Sequence, residues 1–296
     1  MNVMNSPPKK LVCGPYVGEF GWEIFSWSGY CRTLSQHFDE TVVVTRPGRD
    51  FLYSDFAEVT HFSPPPGISD CEKHSAVSQE LAASVIVPLS EKNNGAIFWL
   101  PPFQNVRGAY QHWSEPLFID VLKGFLKPSY AVRDRDLHPT KLKILLHARH
   151  RPDVRPEDDM VIGDFLPFVH AIKDSYELCS IGSTDSVLIN GTRDLRNISL
   201  DKLAEHMDES LATIGPSSGP IHFASLVDCP IITWHHDSNK NWARYATNWN
   251  PLSASVIFVG GLQEKQTPSV DMLLDSVTLL EKNSSIIMRV VEDKYS

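Results

Sequence analysis

The stretch that most constrains this chain is Leu211-Ala-Thr-Ile-Gly-Pro-Ser-Ser-Gly-Pro-Ile-His-Phe-Ala-Ser-Leu-Val-Asp-Cys-Pro-Ile-Ile-Thr-Trp234. It reads without a break as strand, tight polar turn, helix and strand, which demands a parallel sheet with a covering helix. Ser217, Ser218 and Gly219 stand where the helix begins. Hydroxyls and backbone N–H groups at that place converge on an anion at the positive end of the helix dipole. Pro220 fits the first helical turn, where a missing N–H costs nothing. Ile221, Phe223, Ala224 and Leu226 supply the buried side, and Pro230-Ile-Ile-Thr-Trp234 is the next strand.

The rest of the chain repeats this alternation, so the fold class is α/β, with parallel sheets covered on both faces. Strands are expected near 10–15, 41–45, 59–63, 84–88 and 96–100, with helices over 22–37 and 115–126. In the second half, strands are expected at 142–148, 176–181, 187–190, 212–215, 230–234 and 255–259. Helices over 163–174, 199–209 and 220–227 lie between them, and 270–280 has helical periodicity. The polar, Pro-containing stretch 127–141, with its charge run Arg133-Asp-Arg-Asp136, predicts a boundary. Two Rossmann-like lobes, 1–130 and 131–296, are then expected to face each other across a cleft.

A formal charge of −9 disfavours a broad, nonspecific grip on nucleic acid. No apolar run approaches the roughly 18 residues that cross a bilayer, and Met1 to Lys10 lacks the apolar stretch of a secretory signal. No stable membrane insertion and a cytoplasmic location are therefore expected. The five cysteines include no Cys-x-x-Cys and cannot all pair within the chain, so they read as reduced thiols.

Lys143-Ile-Leu-Leu-His-Ala-Arg-His-Arg-Pro-Asp153 runs an apolar strand into a basic cluster. The carboxyl end of a strand is where open α/β sheets bind ligands, and a guanidinium grips a diphosphate with two parallel hydrogen bonds. Arg149 or Arg151 could take that role; the plainer alternative is a solvated basic loop. A third segment, Cys13-Gly-Pro-Tyr-Val-Gly-Glu-Phe-Gly-Trp-Glu-Ile, is a Gly-punctuated loop whose backbone can approach a ligand closely. Glu19 and Glu23 lie in it, either able to accept a proton or simply to cap the helix that follows.

The first segment, with the stretch upstream of it, resembles the GT-B glycosyltransferases, above all the lipopolysaccharide heptosyltransferases. Ser218-Gly219, His222 and Ala224 match that family's donor-binding Asp-Ser-Gly-x-x-His-x-Ala, with Ser217 in place of its Asp. Ile181-Gly182-Ser-Thr-Asp and the run from Asn190 to His206 are similar to the approach to the same site. His147-x-Arg149-x-Arg151-x-Asp153 is similar to a fucosyltransferase His-x-Arg-Arg-x-Asp element.

The resemblance implies a sugar transferred from a nucleotide-sugar donor to an acceptor hydroxyl, inverting and without a metal or other cofactor. It also implies that the last helix crosses back to the first lobe. Donor contacts are expected from His147, Arg149, Arg151, Gly182, Ser217, Ser218, Gly219 and His222. The family's loop base aligns near Gly21-Trp22-Glu23, which makes Glu19 or Glu23 the candidate catalytic carboxylate.

The acceptor is left open between a glycan, a small molecule and a modified nucleobase. An epimerase or hydrolase on the same fold, and a noncatalytic binding protein, are the alternatives. His147 with His150, and His235 with His236-Asp237, lack metal-ligand spacing. Trp234, Trp242, Arg244, Tyr245 and Trp249 form an aromatic, basic stretch that could stack a sugar or base, or cover a core edge, as could Trp99, Tyr110 and Trp113. Asp185 and Asp194 are candidates for a ribose.

Overall fold

The computed structural model describes residues 9–16, 18–63, 76–100, 127–132, 142–150, 162–235, 238–247, 249–260, 267–282 and 288–291. The chain divides into two compact units, Met1–Tyr130 and Ala131–Ser296.

In the first unit, β1 (Lys10–Cys13), β2 (Glu40–Thr45), β3 (Glu58–His61) and β4 (Ile97–Trp99) form a sheet in the order β3-β2-β1-β4. Every neighbouring pair is parallel. Between β1 and β2 run α1 (Phe20–Trp22), a π-helical turn (Glu23–Trp27) and α2 (Ser28–Ser35). Val12, Val42, Val44, Phe98 and Leu100 bury one face of the sheet against Ile86 and Leu89.

Those last two residues carry a correction, because the expected strand at 84–88 lies inside a helix, α3 (Ala76–Lys92). The run Ser84-Val-Ile-Val-Pro88 has the β-branched content of a strand, yet burial follows a helical period. Ile86 and Leu89 are buried while Val87 is exposed. Helix-forming flanks, Gln79-Glu-Leu-Ala-Ala83 and Leu89-Ser-Glu-Lys92, override the local preference.

The second unit holds a seven-stranded, all-parallel sheet in the order β11-β10-β9-β8-β5-β6-β7. Its strands are β5 (Lys143–Leu146), β6 (Glu177–Ser180), β7 (Arg193–Asp194), β8 (Ser210–Pro216), β9 (Ile231–Trp234), β10 (Val256–Val259) and β11 (Met288–Val291). Connecting helices are α4 (Ile162–Ile172), α5 (Leu200–Asp208), α6 (Gly219–Leu226), α7 (Ser238–Thr247) and α8 (Val270–Lys282). Ser199 caps α5, accepting from Lys202 N. Burial of Ile144, Leu146, Ile214 and Ile232 against Phe165, Phe168 and Val169 of α4 builds the core. Each such side chain contributes about 1.5–3 kcal/mol.

Two expectations change in this unit. The strand expected at 187–190 reduces to one antiparallel bridge, Ala148 to Val187. The hydroxyl of Ser180 accepts from Ile189 N at 3.1 Å and meets Thr192 Oγ1 at 2.7 Å, so the segment's polar groups are met without a ladder. The paired strand falls later, at Arg193–Asp194. The closing helix packs on the second sheet: Met272, Leu273, Val277 and Leu280 of α8 lie in its core, and β11 joins that sheet's edge. The aromatic stretch after β9, to which no element was assigned, contains the helix α7.

The helix expected at 115–126 lies outside the described residues, as do Tyr110, Trp113, Arg151, Asp153, His236 and Asp237. Among the described residues no helix is long and apolar enough to cross a membrane. Cys13, Cys31, Cys179 and Cys229 are free and buried.

Candidate active site

In the second sheet the chain leaves β5 on one side for β6 and β7, then returns to the other side as β8. Such a reversal opens a crevice at the carboxyl ends of the two strands, the usual ligand position in open α/β sheets. The register Leu146 to Ile214 and Leu146 to Ser180 sets three strand ends side by side. Gly182 follows β6, His147 and Arg149 follow β5, and Ser217, Ser218 and Gly219 follow β8. The described residues expected to bind a donor therefore lie along one carboxyl edge, on β6, β5 and β8 and the first turn of α6.

His147 locks this edge. Its backbone N–H donates to Ile214 O at 2.8 Å, and its Nδ1 lies 3.2 Å from Ile181 O. A Cβ on Gly215 would stand 2.6 Å from His147 O, and one on Gly182 would stand 2.9 Å from His147 Nδ1. Glycine at 215 thus leaves room for the His147 main chain, and glycine at 182 leaves room for its imidazole and for the Ser186 side chain. Burial pushes the His147 pKa down to about 4; the bond to Ile181 opposes this and Arg149 adds to it. The neutral ring carries its proton on Nδ1, where Ile181 O accepts it.

The unfolded chain takes up a proton near pH 6.5, which the folded chain refuses until about pH 4. This contribution is fully present above pH 6.5 and is lost as pH falls through that window. Relative to His147→Asn, the wild type should lose about 2 kcal/mol of unfolding free energy between pH 7 and pH 5. Urea unfolding of both proteins at the two pH values checks this, and parallel losses would contradict it.

Arg149 is also buried, at 4% exposure, on the same side of the extended chain as His147. At the turn after β8, Ser217 N continues the ladder to Trp234 O at 3.0 Å, and Ser218 Oγ donates to Pro216 O at 2.8 Å. The Ser218 hydroxyl therefore shapes the turn as well as lining it. His222 N bonds Ser218 O at 2.9 Å, closing the first turn of α6. Pro220 has no N–H, so the donors that the helix geometry presents to an anion are the backbone N–H groups of Gly219 and Ile221.

His222 is buried, with its ring 4.6 Å from Trp249 and 5.9 Å from Tyr245. Sequence reasoning placed Tyr245 and Trp249 in an aromatic stretch but did not connect them to His222. The spacing Trp242, Tyr245, Trp249 on a helical period was the available signal. Asp194 is held by Arg196 through two bonds of 2.9 Å, which pull its pKa down to about 2.

In the first sheet the reversal falls between β1 and β4, and the glycine-punctuated loop leaves from that point. Glu19 precedes α1 with extended backbone (φ −61°, ψ 140°), half-buried, its carbonyl accepting from Tyr16 OH and Glu23 N. Glu23, one turn later, is 3% exposed. Its Oε1 accepts from Thr45 Oγ1 at 2.9 Å and Tyr53 OH at 2.8 Å, and Arg49 Nε lies 3.6 Å from Oε2. A π-helical turn, which is enriched at functional sites, begins at Glu23.

A hollow of about 440 Å³ lined by Lys10, Glu40, Asp55 and Glu58 sits at the amino end of this sheet, the end opposite the glycine-punctuated loop. Among the described residues no cluster of His, Cys, Asp and Glu is placed to hold a metal ion.

No protein-family model and no curated protein matches the chain. Solved structures do. A family 9 glycosyl transferase from Veillonella parvula superposes with a TM-score of 0.60 at 13% identity, over 93% of this chain and 98% of the other. The E. coli ADP-heptose lipopolysaccharide heptosyltransferase II gives 0.54 at 16%, over 93% and 100%. The chain has the GT-B glycosyltransferase fold. A third GT-B structure, E. coli heptosyltransferase WaaC with ADP, gives 0.52 at 11% identity over 92% and 99%. As a GT-B chain it carries its helix-terminus turn and buried arginine at the topological switch of the second sheet.

Proposed function

We propose that the chain is a glycosyltransferase that moves a hexosyl, heptosyl or pentosyl group from a nucleoside-diphosphate sugar to an acceptor hydroxyl. The observation that carries this reading is the carboxyl edge of β6, β5 and β8. It sets a buried guanidinium, a neutral imidazole and a helix N-terminus on one crevice. That set suits a leaving diphosphate: Arg149 meets its charge, and the Gly219 and Ile221 N–H groups bond its oxygens. These groups supply the charge stabilisation that other transferases obtain from a metal, so the displacement needs none. Inversion follows if the acceptor hydroxyl attacks the face opposite the diphosphate while a carboxylate, Glu19 or Glu23, takes its proton.

A thermal-shift series with ADP, GDP, UDP and CMP, and with their sugar conjugates, tests the donor site. ADP heads the series because two GT-B neighbours are named for ADP or ADP-heptose. A ligand at 100 times its dissociation constant should stabilise the wild type by about 2.7 kcal/mol. Arg149→Ala should weaken that binding by about 100-fold and remove most of the shift. A series that moves neither protein would refute the donor site. Product analysis with and without added acceptor then separates transfer from hydrolysis or epimerisation.

A further inference from the structure

We infer that Tyr245 is a positioning residue for the diphosphate, the middle member of a hydrogen-bond chain from Ser217 through the phenol to His222. This rests on the donor site proposed above and extends it to a residue outside the turn. Tyr245 lies near the end of α7, 2% exposed, with its ring edge-on to Trp249 at 5.6 Å and tilted on Phe258 at 6.1 Å. Its hydroxyl stands 3.2 Å from Ser217 Oγ and 3.5 Å from His222 Nδ1. Trp249, packed against the same imidazole, is fixed to α6 by Ser225 Oγ donating to its carbonyl at 2.9 Å.

One phenol has one proton, so the direction of the chain matters. With Ser217 O–H donating to the Tyr245 oxygen and Tyr245 O–H donating to His222 Nδ1, the imidazole proton is carried on Nε2. His222 then presents an N–H donor to a phosphate oxygen. The opposite direction would place the proton on Nδ1 and a lone pair on Nε2, which an anion repels. The helix terminus favours an anion beside this ring, so the first direction is the one compatible with it. Burial supports the assignment by keeping the phenol protonated: it pushes the Tyr245 pKa up to about 12, against the pull of the Ser217 hydroxyl. His147 and His222 would thus hold opposite tautomers on one site, the first with Nδ1–H and the second with Nε2–H.

Tyr245→Phe keeps the ring and removes the hydroxyl. Two readouts on the full chain test the role: long-range ¹⁵N–¹H spectra of the His222 ring without ligand, and titration with inorganic pyrophosphate and with the best nucleotide. In the wild type His222 should be the Nε2–H tautomer; in Tyr245→Phe it should become a mixture. The dissociation constant should rise about tenfold, about 1.4 kcal/mol, with the melting temperature nearly unchanged. Ser217→Ala should weaken binding similarly, and the double variant by less than the sum. A wild-type His222 protonated on Nδ1 overturns the inference, as does unchanged affinity in Tyr245→Phe while the wild type binds. If the wild type binds neither pyrophosphate nor any nucleotide, the donor site itself is refuted, and the positioning role with it.

Discussion

Glu19→Gln is expected to lower single-turnover sugar transfer by about 10²–10⁴-fold, with nucleotide affinity and melting temperature close to wild type. The prediction comes from contrasting two carboxylates one helical turn apart. A general base must reach the acceptor proton and must be able to take it. Glu23 is 3% exposed and already accepts from Thr45 and Tyr53 while facing Arg49. Protonating it would remove the charge that Arg49 faces and leave the two hydroxyls a weaker, neutral acceptor. Glu19 is half-buried and opens the helix from extended backbone; the neighbouring Tyr16 phenol has its pKa raised by burial, then by Glu23, and least by Glu19. Transfer that is undiminished in Glu19→Gln removes Glu19 from the proton transfer and returns the role to Glu23 or to another residue.

Much of the fold was legible because parallel strands buried on both faces leave short continuous apolar runs. Ile144 to Leu146 and Val256 to Val259 could hardly be anything else. Legibility failed where two preferences compete. Ser84 to Pro88 has the side chains of a strand and the neighbours of a helix, and packing of Ile86 and Leu89 decided for the helix. Val187 to Asn190 looks like a strand, but Ser180 and Thr192 satisfy its backbone without a partner strand. The destination of the last helix was an inference from resemblance. Nothing in its periodicity says which sheet Met272 and Leu273 will cover.

The donor edge was readable because its parts are local: a turn before a helix, a basic cluster after a strand, a glycine after another. What joined them was register, which no single segment contains. The link from Tyr245 to Ser217 and His222 spans 28 and 23 residues, and only the packing of α7 on the end of α6 creates it. Likewise, the sequence could not rank Glu19 above Glu23 on chemistry, because the partners that enclose Glu23 come from β2 and the segment after it.

Glu23→Ala should destabilise the protein by about 3–5 kcal/mol, the cost of removing one member of a buried charged network. It would leave Tyr53 OH and Thr45 Oγ1 without their acceptor, and Arg49 without the carboxylate it faces. Arg46 would suffer too, since burial lowers its pKa and Glu23 is the largest influence raising it again. Glu23→Gln keeps an oxygen for the two hydroxyls and loses only the charge, so its cost should be clearly smaller. Urea unfolding of the two variants, with Arg49→Met alone and in combination with Glu23→Ala, separates hydroxyl from charge contributions by a double-mutant cycle. If Glu23→Ala proves as stable as wild type, the network does not hold the first unit together. The buried carboxylate would then be better explained as one kept for chemistry, and the choice of Glu19 as base would have to be reversed.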